Sequence, residues 1–271
     1  PLGIGRMSLK QFDLFSGSGV PPECRVQPES KVPDVPIVDF GDEALLAAIP
    51  DSGLENGPAL AAEAGRRGLV EAVPILEAYC RRFSGFGVDR VIPEQVAALR
   101  SLAAIGGREA AEAVTRLFLK TAIQGPTLKD AVGVAAHLGS NLPTSTVLLL
   151  LGHFDSEVRA NACRCAGPKP NVVSALIDLL DDFDEEVKMA AACALGRMGN
   201  RKARPVLARM LRDTPSPEVI DAISQVADED CIVYLGRLLR TDPSLADIVL
   251  EALEASDHPR AAQVIRRVRQ E

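Results

Sequence analysis

Apolar and small residues recur along the second half of the chain with the spacing of one helix face. From Val158 they fall at positions i, i+4, i+7 and i+8, and the same four positions recur from Val187, Val219 and Leu245. This spacing places such residues on one side of an α-helix. Because the pattern returns after 29, 32 and 26 residues, it predicts a structural repeat.

A second apolar stretch follows each of these helices, so each unit predicts a helical hairpin. The four stretches are "NVVSALIDLL", "KARPVLARML", "CIVYLGRLL" and "AAQVIRRV". The first helix of a unit begins at a turn with Asp or Ser, which caps free amide groups, and acidic side chains there favour the positive end of the helix. Gly167 and Gly196 are predicted to end the first helix in two units.

Looser copies extend the repeat towards the N-terminus. They are "IPEQVAALRSLAAIGG", "KDAVGVAAHLGS", in which His137 is predicted to pack in a helix interface, and "GPALAAEAGRRGLVEAVPILEAY". Together the copies predict about seven helical pairs over residues 54–271. One hairpin cannot bury its own apolar face, so neighbouring hairpins must stack to form a core. We predict an all-α protein whose hairpins form an α-solenoid.

The central units resemble the HEAT-repeat superfamily, specifically the short repeats called phycobilisome-lyase-like HEAT repeats. The resemblance lies in "DSEVRANACRCAG" and "DEEVKMAAACALGRMGNRKARPVLARMLRD", which follow the family pattern of Asp, Val-Arg or Val-Lys, an Ala-rich run, Leu-Gly and a second helix. It implies a right-handed superhelix of hairpins that usually binds other proteins. Some members of the superfamily are enzymes, so the fold alone does not assign a function.

Residues 7–53 do not share the repeat pattern, and they predict an extended arm that leads into the solenoid. Prolines oppose long helices there. They stand at Pro21, Pro22, Pro28, Pro33 and Pro36. Residues 1–6, before Met7, are interpreted as the remnant of a protease site and cloning linker, and they are excluded from the fold argument.

The arm contains the stretch "KQFDLFSGSGVPPE", for which two functional interpretations compete. "DLFSGSG" is similar to the glycine-rich first motif of S-adenosylmethionine-dependent methyltransferases, but that motif needs a strand, a loop and a helix in a βαβ unit, which the following prolines oppose. "QFDLF" resembles the peptide by which bacterial replication and repair proteins bind the sliding clamp. Gln11 would make polar contacts, and Leu14 and Phe15 would fill a groove. The alternative is that the apolar residues anchor the arm on the protein's own surface.

Composition narrows the class of protein. Hydrophobic residues make up 47% of the 271 residues and aromatic residues 4%, with no Trp, a balance that favours close-packed helices. The formal net charge of −7 opposes binding to a phosphate backbone, so we expect no nucleic-acid partner. No apolar run reaches the roughly 18 residues of a membrane span, so we expect no membrane partner. Scattered cysteines without CxxC pairs indicate a reduced, cytoplasmic protein.

The chain offers little metal or cofactor chemistry. Its three histidines lack the HExxH spacing, and Cys163 and Cys165, two residues apart on a helix, point away from each other. The acidic cluster at residues 181–186 is interpreted as helix capping, because the spacing of an EF-hand is missing. We expect no cofactor and no catalysis. The alternative is an enzyme or enzyme accessory built on the same repeats, such as a bilin lyase.

A set of arginines on the second helices is the candidate partner-binding site. Aligning these helices by their core positions gives two columns, each of which begins with an aspartate: Asp178, Arg209, Arg237 and Arg267 in one, and Asp181, Arg212 and Arg240 in the other. Packed helices lie about 8–10 Å apart, so the columns predict a basic ladder on an otherwise acidic protein. If second helices line the concave surface, as in HEAT proteins, the ladder suits carboxylates or phosphorylated side chains. The alternative is a solvated face with local ion pairs. We therefore expect a noncatalytic scaffold or adaptor that binds another protein.

Overall fold

The computed structural model describes residues 37–256 and 258–268, and within them the chain is all-α, with fifteen α-helices and no β-strand. The helices are α1 (Asp42–Asp51), α2 (Gly57–Arg66), α3 (Val73–Arg82), α4 (Pro93–Ile105), α5 (Gly107–Leu119), α6 (Thr127–His137), α7 (Thr144–Leu151), α8 (Ser156–Arg164), α9 (Pro170–Asp178), α10 (Glu185–Arg197), α11 (Arg204–Asp213), α12 (Pro217–Ser224), α13 (Glu229–Thr241), α14 (Ala246–Ala255) and α15 (Pro259–Val268). Short 3-10 helices lie at Ile37–Asp39, Val70–Ala72, Leu179–Asp181, Arg201–Ala203 and Pro243–Leu245.

The helices form an α-solenoid of two layers, as the repeat spacing predicted. Each even-numbered helix from α2 to α12 packs against the next even-numbered helix, and odd-numbered helices form the other layer. Every odd-numbered helix from α1 to α13 packs against the even-numbered helix that follows it. The seven hairpins therefore run from α1 with α2 to α13 with α14, and α15 packs at the C-terminal end on α13 and α14. The predicted number of hairpins, about seven, agrees with the structure. Each observed hairpin, however, begins one helix earlier than predicted.

Small side chains let the even-numbered layer pack closely. Residues 190–195 of α10 are at most 2% exposed, because α10 lies against α8 and α12 in its own layer and against α9 and α11 in the other. Gly196 continues this run. A Cβ atom there would lie 2.6 Å from the carbonyl oxygen of Ala222 and 2.7 Å from Cδ1 of Leu207. A larger residue would therefore push α10 away from its neighbours.

Three local predictions are corrected by the structure. Gly196 lies inside α10, where close packing requires it, and the left-handed exit after the helix is taken by Gly199, with φ of 72°. Gly167 is not an exit either, because α8 has already ended at Arg164. His137 is exposed at the end of α6, since other residues of that turn supply the buried face.

The predicted arm over residues 7–53 is corrected at its C-terminal end. Asp42–Asp51 forms helix α1, in which Leu45 and Ile49, spaced i and i+4, are fully buried. This apolar pair packs the helix on α2 and α3, and the prolines named above all precede Ile37. The helical domain therefore includes Asp42, twelve residues before the predicted boundary at residue 54.

Candidate functional site

The five arginines of the predicted ladder lie on three odd-numbered helices. Arg209 and Arg212 are on α11, Arg237 and Arg240 on α13, and Arg267 on α15. All five side chains are exposed. The core positions used for the alignment are fully buried in α9, α11 and α13, so the register of these three helices is as predicted.

The arginines lie on the first helices of the observed hairpins, whereas they were expected on the second helices. The odd-numbered helices that carry them form one of the two layers of the solenoid.

At one end of the ladder, Arg209 faces an acidic side chain of the other layer. Its Nη2 lies 3.4 Å from Oε2 of Glu185, which also accepts a hydrogen bond from Lys188 Nζ at 2.6 Å through its other oxygen. The Lys188 hydrogen bond, with the charges of Lys188 and Arg209, lowers the pKa of Glu185. Nearby, Tyr234 Oη donates to the carbonyl oxygen of Arg212 at 3.3 Å. This end of the ladder is thus engaged in local contacts.

At the other end, the ladder opens into a pocket between α13 and α15, which we call the arginine pocket. Arg240 and Arg267 line it together with Arg260, which the alignment of columns did not identify. The pocket has a volume of about 170 Å³. Its other lining residues are Val233, Gly236, Gln263 and Val264. Two of the predicted arginines therefore meet, and a third guanidinium group joins them.

Helical spacing explains why these residues share one pocket. On α13 the lining residues fall at i, i+3 and i+7 from Val233, and on α15 at i, i+3, i+4 and i+7 from Arg260, which is one face of each helix. Gly236 allows the two helices to approach, because a Cβ atom there would collide with Cγ1 of Val264. The seven-residue spacing of Arg260 and Arg267 was the sequence signal for the third guanidinium group.

At the pocket, the positive charge of Arg260 is only weakly neutralised by an acidic neighbour. Arg260 Nε lies 3.8 Å from Oε1 of Glu229, and the two side chains are 45% and 65% exposed. An ion pair that is long and solvated contributes little. Arg260 Nη1 also donates to Gln263 Oε1 at 3.0 Å. Guanidinium groups donate in parallel pairs that match the oxygens of a carboxylate or phosphate, so three arginines in one pocket offer suitable donors for an anion.

A second, larger cavity of about 610 Å³ lies near the N-terminal end of the described chain. It is lined mainly by apolar residues, among them the exposed Leu54, Phe86 and Val91, with Arg82 and Arg90 at its wall. Its volume falls in the range of about 300–1,000 Å³ that is typical of small-molecule sites, whereas the arginine pocket is smaller. The arginine pocket therefore suits one anionic side chain, and the apolar cavity suits a larger apolar molecule.

None of the five cysteines within the described residues is an activated nucleophile. Burial raises the pKa of four thiols to about 12 and that of the fifth, Cys231, to about 11. The four are Cys80, Cys163, Cys165 and Cys193. A thiol with a raised pKa stays protonated, and thus weakly nucleophilic, at neutral pH.

Within the described residues, no three His, Cys, Asp or Glu side chains are grouped so that they could hold a metal ion. Over the same residues, no helix combines the length and apolar character needed to cross a bilayer. The residues of the predicted docking peptide, Gln11, Leu14 and Phe15, lie outside the described residues, so that hypothesis stays a prediction.

Comparison with known proteins identifies the repeat. Residues 144–227, from the start of α7 to just beyond α12, match the family model described as HEAT repeats. No curated protein matches the chain. Two similar solved structures are the Escherichia coli protein YibA, at 14% identity and a TM-score of 0.44 over 81% of this chain and 93% of that chain, and an engineered protein, at 21% identity and a TM-score of 0.38 over 80% and 96%. The family match falls on stacked helical hairpins, so this part of the chain, residues 144–227, consists of HEAT repeats.

Proposed function

We propose that this protein is a noncatalytic scaffold that binds an acidic or phosphorylated segment of a partner protein through the arginines of its odd-numbered layer. The observation that carries the proposal is the convergence of Arg240, Arg260 and Arg267 on one small pocket. Stacked helical repeats offer extended surfaces that suit the binding of other proteins. The cysteine usage supports a cytoplasmic location for this scaffold.

The chemistry of the pocket favours a single anionic side chain over a nucleic acid. With a net charge of −7, the protein as a whole repels a phosphate backbone. Three guanidinium groups in one pocket nevertheless supply enough donors for all the oxygens of one phosphate. A phosphorylated side chain carries a charge of about −1.5 to −2 at neutral pH, so it gains more from the pocket than a carboxylate does.

The remaining arginines of the ladder extend this proposed surface along the odd-numbered layer. Arg209 and Arg212 lie on α11, and Arg237 lies on α13, one of the two helices that form the pocket. Packed helices are about 8–10 Å apart, and an extended peptide advances about 3.3 Å per residue. A partner segment that crosses the helices would therefore meet a new helix about every third residue, and we expect acidic residues at that spacing.

Three fluorescein-labelled peptides of otherwise identical sequence test the proposal. Each has acidic residues at every third position, and they differ at one central residue, which is Ser, Glu or phosphoserine. Fluorescence anisotropy should give the tightest binding for the phosphoserine peptide, because it presents the highest charge. The paired substitution of Arg240→Gln with Arg267→Gln should weaken that binding by about tenfold or more, since charge-assisted hydrogen bonds are lost.

Arg266→Gln is the matched control for this experiment. Arg266 is exposed on the same helix as Arg267, lies outside the pocket lining, and donates to the carbonyl oxygen of Ala262 at 3.3 Å. Its substitution removes the same charge from α15 and should leave binding nearly unchanged. Equal affinity for the three peptides, or an equal loss in the control, would remove the support for the pocket as a binding site.

The N-terminal segment adds a second proposed contact. The sequence "QFDLF" supports it, because Gln11 would make polar contacts with a sliding clamp while Leu14 and Phe15 would fill a groove on it. A synthetic peptide of residues 10–23 should bind purified clamp protein, and the paired change Leu14→Ala with Phe15→Ala should abolish the binding. Equal binding of both peptides would remove this contact from the proposal.

An enzyme or enzyme accessory such as a bilin lyase is the second candidate function. The apolar cavity of about 610 Å³ lined by Leu54, Phe86 and Arg90 is the observation that favours it. A protein of this kind would hold a coloured cofactor, so purified protein mixed with a free bilin should develop a bound absorption band. A scaffold should show no such band, and Phe86→Ala should then change no binding property.

A further inference from the structure

Two phenylalanines are exposed at matching positions of successive repeats. The relative exposure of Phe154 is 90% and that of Phe183 is 105%. Each directly precedes the aspartate that caps the next helix, Asp155 before α8 and Asp184 before α10. Both lie in the shared string FD-x-E-V, 29 residues apart. The same turn of two neighbouring repeats therefore presents a phenyl ring to solvent.

Packing against the first turn of the helix does not explain the presence of these phenyl rings. An apolar residue just before the capping residue often packs on an apolar residue at the fourth helical position. Here that position is Arg159 in α8 and Lys188 in α10. Neither phenyl ring has an apolar partner at the expected place, and both stay exposed. The rings therefore contribute little to the stability of the helix starts.

One largely buried arginine, Arg159, holds the backbone of the turns that carry both rings. The Nη1 atom of Arg159 donates to the carbonyl oxygens of His153 and Phe154 at 2.8 and 2.9 Å. The Nε and Nη2 atoms of the same guanidinium group donate to the carboxylate of Asp182, each at 2.9 Å. Asp182 directly precedes Phe183 and also accepts a hydrogen bond from the amide of Asp184 at 2.9 Å. The two turns are thus held together by one guanidinium group.

A second link joins the turns and sets their charge. The hydroxyl of Ser156, in the first turn, hydrogen-bonds the carboxylate of Asp184 and lowers the pKa of that group, as do the amides of the helix start. The carboxylate that caps α10 is therefore ionised at neutral pH. The phenyl rings are consequently held on a fixed backbone that carries negative charge.

Acidic residues surround both rings. Within residues 153–157 and 181–186 they are Asp155, Glu157, Asp181, Asp182, Asp184, Glu185 and Glu186. Four of these form ion pairs, with Lys129, Arg159, Arg164 and Lys188, and Glu185 also pairs with Arg209. The acidic groups outnumber these cations, so the surface keeps a net negative charge. We call this surface, formed by the two phenyl rings and the acidic residues around them, the aromatic ridge.

We infer that the aromatic ridge is a second binding surface, which takes a partner segment that presents apolar side chains flanked by lysine or arginine. Phenyl rings on a fixed backbone lose little conformational freedom on binding, and buried aromatic residues dominate many interfaces. Acidic neighbours attract basic residues, and the faces of the rings attract cations. The same charges repel an anionic membrane surface. A basic protein segment therefore fits the ridge better than a lipid surface does.

Two labelled peptides of equal length test this inference on the full chain. Both carry a pair of leucines, which are flanked by lysines in one peptide and by glutamates in the other. Fluorescence anisotropy should give an affinity about tenfold or more higher for the lysine peptide, and the paired change Phe154→Ala with Phe183→Ala should remove about tenfold or more of it. Because both rings are exposed, the thermal melt of the double variant should match that of the unchanged protein.

Leu119→Ala is the control, since Leu119 is 61% exposed at a different place, at the end of α5. It should leave the affinity for the lysine peptide unchanged. The inference is overturned if the lysine peptide does not bind, if both peptides bind equally, or if Leu119→Ala causes the same loss. Phenylalanine-dependent sedimentation with phosphatidylcholine vesicles would overturn it in favour of a membrane. Phenylalanine-dependent dimer formation in sedimentation velocity would overturn it in favour of a second copy of this chain.

Discussion

Arg159 and Asp182 form a two-point ion pair between neighbouring repeats, with Nε to Oδ2 and Nη2 to Oδ1 both at 2.9 Å. The side chains are 15% and 7% exposed. Burial opposes ionisation of Asp182, but the hydrogen bonds from Arg159 and from a backbone amide prevail and lower its pKa. The pair joins α8 to the turn before α10, and it also positions the aromatic ridge.

The change Asp182→Asn should lower the free energy of unfolding by about 3 kcal/mol, because it leaves the largely buried guanidinium group of Arg159 without a counter-charge. Urea denaturation followed by circular dichroism measures this loss. Since Asp182 has a lowered pKa in the folded state, its stabilising contribution is present at neutral pH and declines as acid protonates it. The difference between variant and unchanged protein should therefore shrink in acid.

Arg100→Gln is the control for that measurement. Arg100 pairs with Asp130 at 3.4 Å, and its side chain is 74% exposed. Solvent screening limits such a pair to less than about 1 kcal/mol. If both substitutions cost the same free energy, burial and two-point geometry would not be what makes the Arg159 pair stabilising.

Two glycines inside helices should respond to alanine in opposite directions. Gly133→Ala should stabilise the protein by about 0.5–1 kcal/mol, since alanine favours helix and the nearest atom to the new methyl group is 3.5 Å away. Gly196→Ala should destabilise it by about 1–3 kcal/mol through overpacking, because the methyl group would lie 2.6 Å from the carbonyl oxygen of Ala222. Thermal melts of the two variants decide this, and stabilisation by both would contradict the close packing of α10 on α12.

Glu63 should make the stability of the N-terminal hairpins depend on acid. Its carboxylate accepts hydrogen bonds from Arg66 at 2.8 and 2.7 Å and from Arg67 at 2.7 Å. These bonds lower the pKa of Glu63 from 4.5 to about 2. Because the folded pKa is the lower one, the stabilisation is fully present above pH 4.5 and is lost as the pH falls towards 2.

Glu63→Gln should flatten the loss of stability over this acidic range, which urea midpoints at several pH values measure. An NMR titration of the carboxyl carbon gives the pKa directly. A Glu63 pKa near its ordinary value would show that the contacts with Arg66 and Arg67 do not persist in solution.

The buried thiols should resist alkylation in the native protein. Burial raises the pKa of Cys80, Cys163, Cys165 and Cys193 to about 12 and that of Cys231 to about 11, so at pH 8 these groups are almost entirely protonated. In a Cys24→Ser background, iodoacetamide should label these cysteines slowly before unfolding and rapidly in urea. Fast native labelling of Cys163 would contradict the burial of α8.

The sequence predicts the solenoid well because apolar spacing follows directly from helix geometry. Leu207 and Leu235, two of the core positions by which the helices were aligned, are fully buried as predicted. Which two consecutive helices form each hairpin was less predictable, since this depends on which neighbour each helix packs against. Helix α1 was missed because two buried positions, Leu45 and Ile49, follow a proline-rich stretch and give too short a periodic signal.

The candidate site was predicted only in part. Column alignment identifies Arg240 and Arg267 as surface residues on successive odd-numbered helices. It does not show that these two meet in one pocket, because their separation depends on how closely α13 and α15 approach at Gly236. Arg260 was missed for the same reason, since it lies outside both columns and reaches the pocket only through the packing of α15 on α13.

The most direct test of the arginine pocket is an NMR titration of the ¹⁵N-labelled protein with the phosphoserine peptide, observed at the Nε–H signals of arginine. Individual Arg→Lys variants assign these signals. We predict that the signals of Arg240, Arg260 and Arg267 shift together as the peptide is added, while that of Arg266 does not. Shifts that are confined to arginines outside the pocket, or no shifts at a saturating peptide concentration, would contradict a scaffold that captures anionic side chains between α13 and α15.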